Sequence, residues 1–312
     1  MVRFAMRELL GNMNKRKGKY IIVTIAFVLV AIVCIISYLN NREGGTQGYK
    51  SKTGYNSKSV YVYNLTDDKV ELDINSDEKL PIASLTKLMT CHKALIIMKS
   101  KGLNLTDSGQ ITEEAVKLVK RQHEYMVGYS TDESTDFNDL FYAMIMQSDG
   151  AAANSLAILM GGDIASFVSE MNEEAKVLGL VNTHYETPDG VYKKGEYSTA
   201  EDVASLLKQS LQDKEYYKIF TTPSYVSTKT ERHPDGIKLS NDVITAFEKN
   251  KNKKFDVIGG KFGYTPEAGK SVAVLAEKNG KTYIIVTLGC YQSGGDYGHM
   301  DDVVKAMNTI SR

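Results

Sequence analysis

One uncharged run, YIIVTIAFVLVAIVCIISYL, constrains this chain more than any other feature; it extends from Tyr20 to Leu39. As a helix, a run of that length spans about 30 Å, the thickness of a hydrocarbon core. Residues 20–39 are therefore expected to cross the lipid bilayer as a transmembrane helix. Ahead of them stand Arg3, Arg7, Lys15, Arg16, Lys17 and Lys19 against one acid, Glu8. A basic flank of this kind stays in the cytoplasm, so residues 1–19 are expected to be a cytoplasmic basic segment and the rest of the chain extracytoplasmic. The run exceeds the roughly 7 to 15 apolar residues of a cleavable leader and no A-x-A site follows it, which favours an uncleaved anchor over a signal peptide.

Residues 40–58 are rich in Gly, Ser, Asn, Thr and Lys and nearly free of aliphatic side chains, the composition of a flexible linker. Residues 59–312 remain for one extracytoplasmic domain, and a chain that is 42% hydrophobic can build it a sizeable core. Basic and acidic residues balance at 38 each, so no overall field recruits nucleic acid, and none is expected as a partner. Of three cysteines, Cys34 lies in the apolar run, leaving Cys91 and Cys290, too few for a disulfide framework or a cysteine-rich zinc site. The five histidines form no H-x-x-x-H pair, and no metal or cofactor is expected.

The domain opens with VYVYNLTDDKVELDI, two alternating runs around Asp67-Asp68, which predicts a β-hairpin. A second hairpin is predicted where Asn279-Gly280 separates the apolar runs of SVAVLAEKNGKTYIIVTLGC. Between them, Leu88, Cys91, Leu95 and Met98 recur at helical spacing, as do apolar positions in 140–146 and 167–178; residues 300–310 close the chain as another helix. Strands at both ends with helices between them predict an α+β layered domain.

Chemistry enters at PIASLTKLMT, where Ser84 and Lys87 stand three apart as a helical pattern begins. That spacing puts both on one face, with the amine against the hydroxyl. A serine is a weak nucleophile until a base takes its proton, and a lysine can do so only with its amine neutral, a state that burial or a nearby positive charge favours. Two further segments follow in order: QSDGAAANSLA at Ser148, interrupting a helical pattern, and GGKFGYTPEAG at Lys261, entering the last strands.

Together these segments resemble the Ser-x-x-Lys, Ser-x-Asn and Lys-Thr-Gly motifs of penicillin-interacting serine enzymes. With LPIASLTKLMT, FVSEMNEEAKVLGLVNTHYETPDG, YSTAEDVASLL, GGKFGYTPEAGKSV and IIVTLG, the chain resembles the low-molecular-mass penicillin-binding proteins of the serine D-alanyl-D-alanine carboxypeptidase family from about Val60 nearly to its end. The resemblance implies a mostly antiparallel sheet flanked by helices on both faces, with the site between the sheet edge and the helix bearing Lys87. It implies a bacterial cell-membrane enzyme that acts on peptidoglycan stem peptides ending in D-Ala-D-Ala, with β-lactam antibiotics as covalent inhibitors. No further domain or C-terminal anchor is expected beyond the final helix.

By resemblance, Ser84 is the nucleophile, Lys87 its general base, and Ser148 a bridge between Lys87 and Lys261 that passes a proton to the leaving amine. Lys261, held positive, is expected to keep Lys87 partly neutral and to attract the substrate's terminal carboxylate. The backbone N–H groups of Ser84 and Tyr264 are the expected oxyanion hole, and Gly263 is expected to let substrate backbone lie close along the strand.

Two positions depart from the family pattern. Gly150 stands where the second motif has Asn, and Phe262 where the third has a hydroxyl residue. Loss of one charge-assisted hydrogen bond costs roughly 1.5–3 kcal/mol, one to two decades in rate if it acts in the transition state. Asn154, one turn beyond Gly150, is expected on the helix surface, and Thr265 is given no role. The altered motifs keep open a weakly active or inactive peptidoglycan-binding relative. A β-lactamase-like hydrolase is the other alternative, with Glu186 in the region of a deacylating glutamate, although a solvent-exposed loop acid is its plainer reading.

Overall fold

The computed structural model describes residues 54–291 and 297–310. The expected cytoplasmic segment, the transmembrane helix and most of the linker lie outside the described residues.

Both predicted hairpins form. The first joins β1 (Ser59–Asn64) to β2 (Lys69–Ile74). Late in the chain come β7 (Asp256–Thr265), β8 (Gly269–Lys278) and β9 (Lys281–Cys290). Asn279 (φ 53°) and Gly280 (φ 74°) turn β8 into β9, and two left-handed residues in succession are what a tight two-residue hairpin requires. The five strands make one sheet in the order β2-β1-β9-β8-β7, antiparallel throughout. β1 lies against β9 from Ser59↔Leu288 to Asn64↔Tyr283, so the start and end of the domain close on each other. Short ribbons pair β3 (Ser108–Gln110) with β4 (Ser134–Asp136) and β5 (Ser224–Val226) with β6 (Lys238–Ser240).

The helices are α1 (Lys87–Ser100), α2 (Glu113–Gln122), α3 (Phe137–Met146), α4 (Gly150–Gly161), α5 (Ile164–Val177), α6 (Ala200–Ser210), α7 (Lys214–Thr221), α8 (Asp242–Glu248) and α9 (Gly298–Thr309). Side chains alternate along the central strands, and both faces are covered. Val60, Val62, Val272, Val274 and Ile285 pack with Val243 and Phe247 of α8 and Met300 and Val303 of α9. Their neighbours Tyr61, Ala273, Leu275, Ile284 and Val286 join the larger core that holds α1 to α7. Within it α1 buries Leu88, Cys91, Leu95 and Met98, the four positions its spacing marked, together with Lys87 and Thr90.

The end of the expected linker is not free chain. Tyr55 and Ser57 are buried, the backbone N–H of Asn56 donates to the Asp302 carboxylate at 2.9 Å, and Lys305 of α9 donates to the Gly54 carbonyl at 2.6 Å. Composition hides this because Gly, Asn, Ser and Lys signal a linker only when nothing nearby accepts their hydrogen bonds; here α9 supplies the acceptor.

Candidate active site

Ser84 sits in a 3-10 turn, Ala83–Thr86, that runs directly into α1. The residue before it, Ala83, has φ 48°, a left-handed conformation that costs a residue with a Cβ about 1–2 kcal/mol. Two glycines from separate segments pack against this turn. A Cβ on Gly190 (φ 81°) would lie 2.1 Å from the Ala83 carbonyl oxygen, and one on Gly263 would lie 2.7 Å from that of Ile82. Gly263 thus serves the contact between edge strand β7 and the turn, and it also lines the cleft where substrate backbone was expected to approach.

Lys87 is fully buried at the start of α1, and its Nζ donates to Ser84 Oγ at 3.1 Å. The amine also donates to the Asp189 carbonyl and lies 4.0 Å from Glu124 Oε1. Lys261, on β7, is 2% exposed and donates to the Phe262 carbonyl at 3.1 Å. Burial, and then the like charge of Lys87, push the Lys261 amine well below its usual range, against the pull of Asp242 and Glu124. Desolvation thus outweighs its neighbouring carboxylates and works against the positive charge expected of Lys261.

Ser148 lies between α3 and α4 with φ 63°. It lines the same cleft but, among the described residues, makes no hydrogen bond to either lysine. The cleft, of about 550 Å³, is bounded by Ser84, Glu124, Ser148, Gly190, Phe262 and Tyr264 among others. Tyr264 is 64% exposed at its rim. Phe262 packs edge-on against His299, with ring centroids 5.4 Å apart, so part of its ring is anchored in the α9 side of the core. Thr265 also lines the cleft, and its Oγ1 accepts from the Ala268 N–H at 3.1 Å, which ties it to the β7–β8 turn.

Asn154 is a second correction: it is buried, not on the helix surface. Its Nδ2 donates to Asp189 Oδ2 at 2.5 Å and to the Gly150 carbonyl at 2.9 Å. Asp149 caps α4 by accepting from Ala152 N–H at 2.8 Å and also accepts from Val127 N–H at 2.7 Å. Burial pushes its carboxyl up. Glu186 lies outside the cleft lining and pairs with Lys193 at 2.9 Å and His184 at 3.2 Å. The hydrogen bond from Lys193 holds its carboxyl below the usual range, as befits a structural ion pair.

The profile of the D-alanyl-D-alanine carboxypeptidases, a serine peptidase family, matches residues 47–292. The chain belongs to that family. Relatives include the D-alanyl-D-alanine carboxypeptidase DacF of Bacillus subtilis, 30% identical over 77% of this chain and 59% of its own length. DacC of Escherichia coli is 32% identical over 71% of this chain and 53% of its own. The chain thus spans a little over half the length of those two relatives. Among solved structures, the Streptomyces K15 DD-transpeptidase superposes with a TM-score of 0.72 at 23% identity, covering 81% of this chain and 96% of that one. At that identity the likeness speaks for the shared fold.

Sequence reasoning within the family pattern missed Glu124 and Asp189, which complete the wall around Lys87. Asp189 stood inside the quoted segment THYETPDG, and its pairing with Gly190 is the signal of a turn. Glu124 follows α2 in a stretch where no family motif was quoted, and only packing brings it to the site.

Proposed function

We propose that the chain is a membrane-anchored serine D-Ala-D-Ala carboxypeptidase that trims peptidoglycan stem peptides outside the cell membrane. The observation that carries this reading is the 3.1 Å hydrogen bond between Ser84 Oγ and the buried Lys87 amine at the floor of the cleft. In it, Ser84 attacks the carbonyl between the two terminal D-alanines while neutral Lys87 takes its proton. The N–H groups of Ser84 and Tyr264 receive the oxyanion, and Ser148 helps return the proton to the departing D-alanine. Water then hydrolyses the acyl-enzyme. A substrate carboxylate arriving beside Lys261 supplies the negative charge that favours its protonated form. β-Lactams acylate the same serine, and residues 20–39 hold the domain at the bilayer.

The test is intact mass after incubation with a penicillin, beside D-alanine release from a diacetyl-L-lysyl-D-alanyl-D-alanine peptide. The reading expects a lasting adduct together with D-alanine release, both lost in Ser84→Ala. Rapid loss of the adduct with drug hydrolysis would move the assignment to a β-lactamase. No adduct and no release would leave a peptidoglycan-binding protein.

A further inference from the structure

Gly150 does not leave a hole. A Cβ at this position would lie 1.8 Å from Glu124 Oε2 and 2.8 Å from its Cδ, so the carboxylate fills the space that a motif side chain would occupy. Its approach is fixed by backbone. His123 ends α2 in a left-handed conformation, Glu124 N–H donates to the Val119 carbonyl at 3.1 Å, and Gly150 N–H donates to the Tyr125 carbonyl at 3.1 Å. The groups facing the carboxyl are Lys87 of α1, Asp149 at the start of α4, Asp189 of the loop before α6, and Lys261 of β7. Its Oε2 is buried and has no hydrogen-bond partner among the described residues, while Oε1 points to the Lys87 amine.

We propose that Glu124 takes over the role of the absent residue-150 side chain as a positioning residue, holding the proton that the Lys87 amine must shed before it can serve as base. The inference rests on Ser84 being the nucleophile. As the ion pair closes from 4.0 Å to hydrogen-bonding range it exchanges one proton, from Lys87 ammonium with Glu124 carboxylate to neutral amine with neutral carboxyl, and the net charge of the pair does not change. The neutral amine accepts the Ser84 proton as the serine oxygen bonds to the substrate carbonyl carbon. That proton leaves with the departing amine when the C–N bond breaks, which returns Lys87 to the neutral form. Burial supports the exchange by pushing the Glu124 carboxyl up to about 7, with Asp189 and Asp149 adding to the rise and Lys87 and Lys261 opposing it.

The experiment measures acylation of the full chain in detergent by a fluorescent penicillin across pH. Glu124→Gln is expected to slow acylation about tenfold or more and to remove the limb of the pH profile that titrates near neutrality. Gly150→Asn alone is expected to slow it as well, by displacing the carboxylate. Glu124→Ala combined with Gly150→Asn is expected to acylate faster than either single variant. A Glu124→Gln protein with the wild-type rate and profile, or a double variant no faster than the singles, overturns the proposal. An independent readout follows Glu124 by carboxyl carbon NMR against Glu124→Gln. Its titration should move upward in Lys87→Met, and an unmoved titration also overturns the proposal. If the wild-type chain forms no adduct but this coupling is present, the nucleophile assignment fails while the Lys87–Glu124 linkage stands.

Discussion

The two walls of the cleft are built on different principles. On the sheet side, β7 touches the Ser84 turn through glycine and backbone, with Gly263 against the Ile82 carbonyl, and the contact is steric. On the helical side, Lys87 faces Glu124, Asp189 and Asp149, with Asn154 of α4 bonded to Asp189 behind them, and the contact is polar and buried. A steric wall admits almost no substitution, whereas a polar wall can exchange one hydrogen-bonding group for another if the volume is conserved. On the polar side, the Glu124 carboxylate occupies the space that a side chain at Gly150 would take, so that wall stays closed.

The comparison breaks most readily at the glycines. Gly190→Ala and Gly263→Ala each force a Cβ against a backbone carbonyl that cannot swing aside, at 2.1 and 2.7 Å. Gly190 carries the additional cost of its positive φ. Penicillin acylation should fall by about two decades or more in both, corresponding to roughly 3 kcal/mol of misplacement. A Gly263→Ala variant that acylates normally would show that the sheet-side wall is not steric.

An intermediate effect is expected on the polar side. Asn154→Ala leaves the buried Asp189 carboxylate without its amide donor, a loss of about 1–3 kcal/mol that urea unfolding would read. Asn154→Asp, which sets a like charge against Asp189, should be worse than Ala. If the two are equal, the amide contributes only packing.

The smallest effect is a slope with pH. Glu196 lies behind the Ser84 turn and accepts from Thr86 Oγ1 at 2.8 Å and Thr187 Oγ1 at 3.0 Å, and burial pushes its carboxyl up to about 7. The folded protein therefore holds this proton more tightly than the unfolded chain. The stability Glu196 contributes is present below the ordinary glutamate range and is lost as pH rises through about 7. Glu196→Gln should flatten the fall in stability across that window while leaving acid stability nearly unchanged, which thermal unfolding at several pH values would check.

How much of this was legible depended on whether a feature was local. The hairpins at Asp67-Asp68 and Asn279-Gly280, the apolar stripe of α1 and the Ser84–Lys87 pair each follow from residues a few positions apart, and each appears where periodicity or turn chemistry put it. The antiparallel sheet with helices on both faces followed from the family resemblance. What escaped was set by distant packing. The burial of Asn154 requires Asp189, the downward push on the Lys261 amine follows from its desolvation, and the place of Glu124 depends on the left-handed turn at His123. Glu186 illustrates the opposite case: it lay in a suggestive segment, yet Lys193 and His184 hold it in an ion pair of its own.

The strap at 54–58 has a mechanical consequence. Its Asn56 and Ser57 N–H groups grip the Asp302 carboxylate of α9, and β1 begins immediately afterwards between β2 and β9. Tension entering at Gly54 is therefore borne first by α9 and by the interior of the sheet. Within the sheet, β9 and β8 stand between β1 and the edge strand β7, which forms a wall of the cleft and touches α9 through Phe262 against His299. The strap's grip on α9 thus bears on the cleft wall by way of Phe262, and through the sheet only across two intervening strands.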